Sequence, residues 1–151
     1  MYKKVLVPLD GSKLSESIIK DVVAVATGCH VPEVVLLKVR EPMDSNVRAA
    51  LDPEIAEELD QAYNNDSVEY LNKVSKKLAK KGVTASVEVL AGNPAEEIIN
   101  YADKKHVDLI IMSTHGRSGF SRLVFGSVAD KVIRQTEKPV LLKPPGKDGD
   151  K

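Results

Sequence analysis

Val107-Asp108-Leu109-Ile110-Ile111-Met112-Ser113-Thr114-His115-Gly116 is followed, after nine further residues, by Gly126-Ser127. An apolar run that empties into a small-residue loop, which then opens a helix at Gly-Ser, is how chains built from β-α-β units hold phosphate. Gly116 and Gly126 let the backbone approach a phosphate with no Cβ in the way, and the unpaired N–H groups of a helix start carry partial positive charge. Nucleotide binding is the first expectation.

Outward from this stretch, strands and helices alternate. Short runs rich in β-branched residues predict strands over 4–9, 33–39, 83–90, 107–112 and 139–142. Between the first two strands the pattern predicts one helix, N-capped by Ser12, with Leu14, Ile18, Val22 and Val25 on one face and Gly28 as its stop. Residues 41–52 read as an irregular loop. Residues 53–81 read as mostly helix, with Ile55, Leu59, Ala62, Val68, Leu71, Val74 and Leu78 near helical spacing and Asn64-Asn65-Asp66 as its weak point. Asn93 caps a further helix, with Pro94 at its first position and Glu96 three residues past the cap. Five strands and four helices in strict alternation imply an α/β fold with a parallel sheet wound on both faces, which binds ligands beyond the carboxyl ends of its strands.

The strand ends at Pro8-Leu9-Asp10, Val39-Arg40 and Met112-Ser113 are therefore expected to converge on one crevice. Asp10 has two roles open to it: accepting hydrogen bonds from ribose hydroxyls, or binding Mg²⁺ through water, on one side, and an Asx-turn at the Gly11-Ser12 helix start on the other. Val39 can offer a backbone N–H and C=O to an adenine edge. Ser127 sits where either a phosphate or ordinary capping would employ its hydroxyl and N–H. Arg117 and Arg122 add cationic donors suited to phosphate, Arg122 also fitting a solvated loop. His115 can hydrogen-bond a phosphate or act as a general acid, but no second histidine or cysteine lies at metal-ligand spacing.

Composition narrows the classes. Lys+Arg and Asp+Glu both number 22, so the formal charge is zero and a polyanion such as a nucleic acid is not expected as partner. Cys29 is the single cysteine, which excludes an internal disulfide and reads as a half-buried thiol near a helix end. The start of the chain carries no signal-peptide pattern and no apolar run approaches the ~20 residues of a membrane span, so a cytoplasmic protein with no membrane contact is expected. At 151 residues one core suffices, and residues 144–151 read as a flexible tail.

Val5-Leu6-Val7-Pro8-Leu9-Asp10-Gly11-Ser12, Leu36-Leu37-Lys38-Val39, Ala91-Gly92-Asn93-Pro94, and the block from Met112 through Gly126-Ser127-Val128-Ala129 to Lys138-Pro139-Val140-Leu141 together resemble the universal stress protein family. The likeness runs from Lys3 to Lys143, so residues 1–143 would be one such domain. The family's ATP-binding branch has the pattern Gly-x2-Gly-x9-Gly-(Ser/Thr). Here its second glycine is Gly116, its closing pair Gly126-Ser127, and its first position holds Ser113. A glycine there would serve a left-handed backbone or a close approach to the nucleotide.

The resemblance implies a Rossmann-like open five-stranded parallel sheet of the adenine nucleotide alpha hydrolase-like type, strand order 3-2-1-4-5. It also implies a site for ATP, or ADP or AMP, with Mg²⁺ held indirectly by Asp10. The implied contacts are Pro8, Leu9 and Asp10; Val39; Met112, Ser113, Thr114, His115, Gly116, Arg117, Ser118 and Gly119; and Gly126, Ser127, Val128 and Ala129. A homodimer is implied through the last strand, with Val140, Leu141 and Leu142 at the contact. The function expected is nucleotide sensing in a stress response, with slow incidental ATP hydrolysis at most. A nucleotide-free scaffold and an ATP-cleaving enzyme are the alternatives. The enzyme lacks support in the first loop, where Pro8-Leu9-Asp10-Gly11-Ser12 stands in place of a Ser-Gly-Gly-x-Asp-Ser phosphate loop, and no nucleophile and base pair is visible.

Overall fold

The computed structural model describes residues 1–114 and 126–144, the side chain of Leu14 excepted. Their order is β1 (Lys4–Pro8), α1 (Lys13–Glu16), α2 (Ile19–Gly28), β2 (Glu33–Arg40), α3 (Ser45–Ala50), α4 (Pro53–Ala79), β3 (Ala85–Ala91), α5 (Pro94–Lys104), β4 (Leu109–Ser113), α6 (Ser127–Gln135) and β5 (Val140–Lys143). All five strands are parallel and lie in the order β3-β2-β1-β4-β5. The expected α/β class and strand order hold.

The pleat explains why both faces are covered. Val5, Val7, Val34, Leu36, Leu109 and Ile111 point to one side, where Ile18, Val22 and Ala26 at α2 and Leu71, Val74 and Leu78 of α4 close over them. Leu6, Val35, Leu37, Ile110 and Met112 point to the other, against Ala95, Ile98, Tyr101 and Ala102 of α5 and Ala129 and Val132 of α6. Central strands buried on both sides read as continuous apolar runs rather than alternating ones.

Asp108 ties the start of β4 to the start of β1. Its Oδ2 accepts from Lys3 N at 2.8 Å and Lys4 N at 2.9 Å, and its own N–H donates to Lys4 O at 2.9 Å. The N–H of Lys3, then that of Lys4, holds the carboxyl below the usual carboxylate range. A depressed native value means stability that is present above the unfolded pKa of about 3.9 and lost as pH falls through the native one. Asp108→Ala is accordingly expected to melt below the parent at pH 7, with the gap closing as pH drops beneath about 4. Melting curves from pH 7 to pH 2 check this; a gap independent of pH would contradict it.

Four expectations are corrected. The single helix over 12–28 is two, α1 and α2. Ser12 caps α1 as expected, its Oγ accepting from Ser15 N at 3.1 Å, but the chain leaves the helix between Glu16 and Ile19, where the carbonyl of Ser17 accepts from Lys143 Nζ at 3.1 Å. The loop over 41–52 contains α3, capped by Asp44, whose Oδ1 accepts from Asn46 N at 2.8 Å and Val47 N at 3.3 Å. Asn64-Asn65-Asp66 does not interrupt α4, since burial of Ser67, Leu71, Val74 and Leu78 outweighs their weak helix propensity. Cys29 is exposed rather than half-buried.

Candidate functional site

The strand order reverses between β1 and β4, and a cleft of about 840 Å³ opens beyond their carboxyl ends. Its volume is that of an ordinary small-molecule site. Every described residue expected at the site lines it: Pro8, Leu9, Asp10, Val39, Met112, Ser113, Thr114, Gly126, Ser127, Val128 and Ala129. The remaining expectations, His115, Gly116, Arg117, Ser118 and Gly119, together with Arg122, lie outside the described residues.

One wall is the start of α6. Gly126 is its N-cap with no side-chain cap hydrogen bond, and the Gly126 N–H donates to Thr114 O at 2.8 Å. The first intrahelical bond runs from Asp130 N to Gly126 O, so the N–H groups of Ser127, Val128 and Ala129 have no partner within the helix. All three residues face the cleft, where the positive end of the helix dipole favours an anion.

The opposite wall is the end of β2. Leu37 O accepts from Leu9 N at 2.8 Å, toward β1, whereas Arg40 O accepts from Gly92 N at 3.0 Å, toward β3. Alternation then turns the N–H and C=O of Val39 to the β1 side, two residues past the last β1 pairing at Pro8–Leu37. A donor and an acceptor thus point side by side into the gap.

Between them runs the loop after β1. Asp10 Oδ1 accepts from Ser12 N at 2.8 Å, an Asx-turn, and Gly11 takes φ +90°, which explains the glycine. The turn fixes the carboxylate at the cleft and leaves the ligand role of Asp10 compatible with it. Lys38 also reaches the cleft, its Nζ 5.6 Å from the centroid of the Tyr70 ring. Burial pushes the Tyr70 hydroxyl up to about 12, so the phenol under this cation stays neutral across physiological pH. Ser113, in the position where a glycine was expected, lies in β4 and is not among the residues with positive φ. Its backbone therefore carries no left-handed strain.

Sequence reasoning missed the third wall. Met43, Val47, Leu59, Tyr63, Asp66 and Ser67, from α3, α4 and the segment before them, line the cleft. Arg40 pins α4 there through two hydrogen bonds to Asp60, Nη1 to Oδ1 at 2.9 Å and Nη2 to Oδ2 at 3.1 Å. That pair holds the Asp60 carboxyl below its usual range. An arginine immediately after the strand-end Val39 was the available signal.

The far edge of the sheet connects to the same loop. Thr114 N donates to Lys143 O at 2.9 Å and Thr114 Oγ1 to the same oxygen at 3.3 Å, while Lys143 Nζ holds Ser17 O and, at 3.0 Å, Asp21 Oδ2. A hydrogen-bonded path thus runs from Gly126 through Thr114 to edge strand β5 and on to α2. Among the described residues no helix is long and apolar enough to cross a membrane, and no group of three or more His, Cys, Asp or Glu is placed to hold a metal.

Comparison with known proteins places these features in context. The sequence profile of the Universal stress protein family matches residues 1–144. Universal stress protein MJ0531 of Methanocaldococcus jannaschii is 37% identical over 150 residues, covering 98% of this chain and 86% of that one. The solved structure of MJ0577 from the same organism superposes with a TM-score of 0.83 at 32% identity, covering 97% of this chain and 98% of that one. A family protein from Arabidopsis thaliana, solved with AMP bound, shares the fold with a TM-score of 0.68 at 18% identity, covering 97% and 94%.

Proposed function

The chain belongs to the universal stress protein family, and from that premise we propose that it is an adenine-nucleotide-binding regulatory protein that works as a homodimer. The observation that carries this reading is the pairing, across one cleft, of the uncapped α6 start with the outward N–H and C=O of Val39. An anion site and a base-edge site at opposite ends of one cleft suit a nucleotide. A family member of the same fold solved with AMP supports the choice of adenine.

The roles follow the chemistry of each wall. Val39 N–H and C=O pair with the adenine edge, Asp10 accepts from the ribose hydroxyls, and the N–H groups of Ser127, Val128 and Ala129 hold phosphate with the hydroxyls of Ser113 and Ser127, Thr114 lying beside them. His115, Gly116, Arg117, Ser118 and Gly119 complete the phosphate segment in this proposal. With no protein cage of three ligands among the described residues, Mg²⁺ would be held mainly by the phosphates, Asp10 contributing through water. The ion would neutralise phosphate charge. Native mass spectrometry of freshly purified protein tests the reading: a retained or titratable adenine nucleotide, one per chain, is expected. Protein that takes up none at millimolar ATP would favour a nucleotide-free scaffold.

Regulation would use the path through Lys143. A phosphate that orders the α6 start acts on Thr114, Thr114 on Lys143, and Lys143 on both β5 and α2. Coupling free energies between sites typically amount to fivefold or more in affinity, and they are reciprocal. ATP is therefore expected to change the dimer dissociation constant roughly fivefold in the parent, and equally in Lys143→Met, which loses the branch to α2 but keeps the backbone carbonyl that Thr114 holds. Sedimentation with and without ATP measures this; a parent whose dimer does not respond to ATP, or a response lost in Lys143→Met, would contradict the route through β5.

A further inference from the structure

The nucleotide reading leaves one side of the cleft without a task. Among the described residues six large apolar side chains are exposed, and three of them, Val47 (51%), Leu59 (41%) and Tyr63 (61%), line this cleft. Half of these exposed large apolar side chains thus gather in one place, where a ligand would sit. On α4 the lining positions are 59, 63, 66 and 67, a spacing of i, i+4, i+7 and i+8 that puts them on one stripe of the helix. Asp60 lies within this segment, and its two hydrogen bonds to Arg40 fasten the helix to β2 one residue past Val39. The half-buried state of both partners makes this a firmer tether than a surface ion pair.

Resting on the nucleotide reading, we propose that Leu59 and Tyr63, flanked by Val47, form the wall against which the purine ring packs. Tyr63 is the stacking residue, and Arg40 and Asp60 are positioning residues that set the wall beside the Val39 amide. A flat heteroaromatic ring with a donor and an acceptor on one edge is the occupant that satisfies both features at once. Its face takes up the apolar stripe, and its edge takes up the backbone groups of Val39. Phosphate fits neither, and belongs to the α6 end. An exposed tyrosine on a helix can be replaced with little risk to the fold, which makes the wall testable.

The test is calorimetric titration of parent, Tyr63→Ala, Tyr63→Phe and Asp60→Asn with ATP and with inorganic tripolyphosphate, alongside sedimentation. Base–aromatic stacking has the magnitude to weaken ATP binding roughly tenfold in Tyr63→Ala. Tyr63→Phe should match the parent, and Asp60→Asn should weaken ATP but not tripolyphosphate. Tripolyphosphate affinity should be the same in all four proteins. Parent-like ATP binding by Tyr63→Ala, or an equal loss of both ligands, would overturn the wall. So would a change confined to the oligomeric state, which would assign the stripe to a second copy of the chain. A parent that binds tripolyphosphate as tightly as ATP would remove the base site and leave the phosphate site standing. A parent that binds neither would remove the nucleotide reading and the wall with it.

Discussion

Ser127→Pro is expected to bind ATP about a hundredfold more weakly than the parent while melting at the same temperature without nucleotide. Ser127 is the first residue of α6, the one helical position where proline's missing N–H breaks no intrahelical bond and its fixed φ suits the chain. The preceding Gly126 has φ −46° and ψ 154°, the extended backbone that a following proline demands. The fold should therefore accept the change. The cleft loses one N–H and one hydroxyl from its anion end. Two hydrogen bonds to a charged group together amount to about 3 kcal/mol, hence the hundredfold. At an ATP concentration near 100 times the parent's dissociation constant, the parent gains about 2.7 kcal/mol, roughly 5–10 °C in melting temperature. The variant, then near its own dissociation constant, should gain about 1 °C. Equal shifts would mean that the phosphates lie elsewhere.

Leu142→Pro is expected to convert the proposed dimer to monomer at micromolar concentration. Ile110 N donates to Pro139 O and Thr114 N to Lys143 O, so odd-numbered residues of this segment serve β4 and the N–H of Leu142 turns to the open edge. Proline is tolerated at such an edge and removes a donor that a second copy's strand would need. Leu142 also packs against the α5–α6 cluster, so Leu142→Ala serves as the comparison. It loses packing but keeps the N–H, and should remain a dimer. A Leu142→Pro protein that still sediments as a dimer would put the contact on another surface.

The strands were legible because burial on both faces writes them as uninterrupted β-branched runs, and the crevice followed from the parallel topology. Helix positions were harder. Leu59 and Leu71 both fit the apolar spacing of α4, yet Leu71 is fully buried and Leu59 is exposed on the cleft, because only the carboxyl-terminal half of this long helix lies over the sheet. Periodicity shows that a face is apolar without saying what covers it. The cap of α3 was visible in Asp44, but six residues are too few for a periodic signal. Glu96, placed for a capping box with Asn93, instead extends its Oε1 to within 3.2 Å of Lys131 Nζ on α6. Asn93 alone caps α5, accepting from Glu96 N at 3.2 Å. Ser113 could be weighed only with the strand in view, since its cost depended on a φ that one dimension does not reveal.

Calorimetric titration of the purified parent with ATP tests the central claim most directly. One nucleotide bound per chain, with affinity lowered about a hundredfold in Ser127→Pro, is the predicted result. No heat of binding and no thermal stabilisation at millimolar ATP would contradict it.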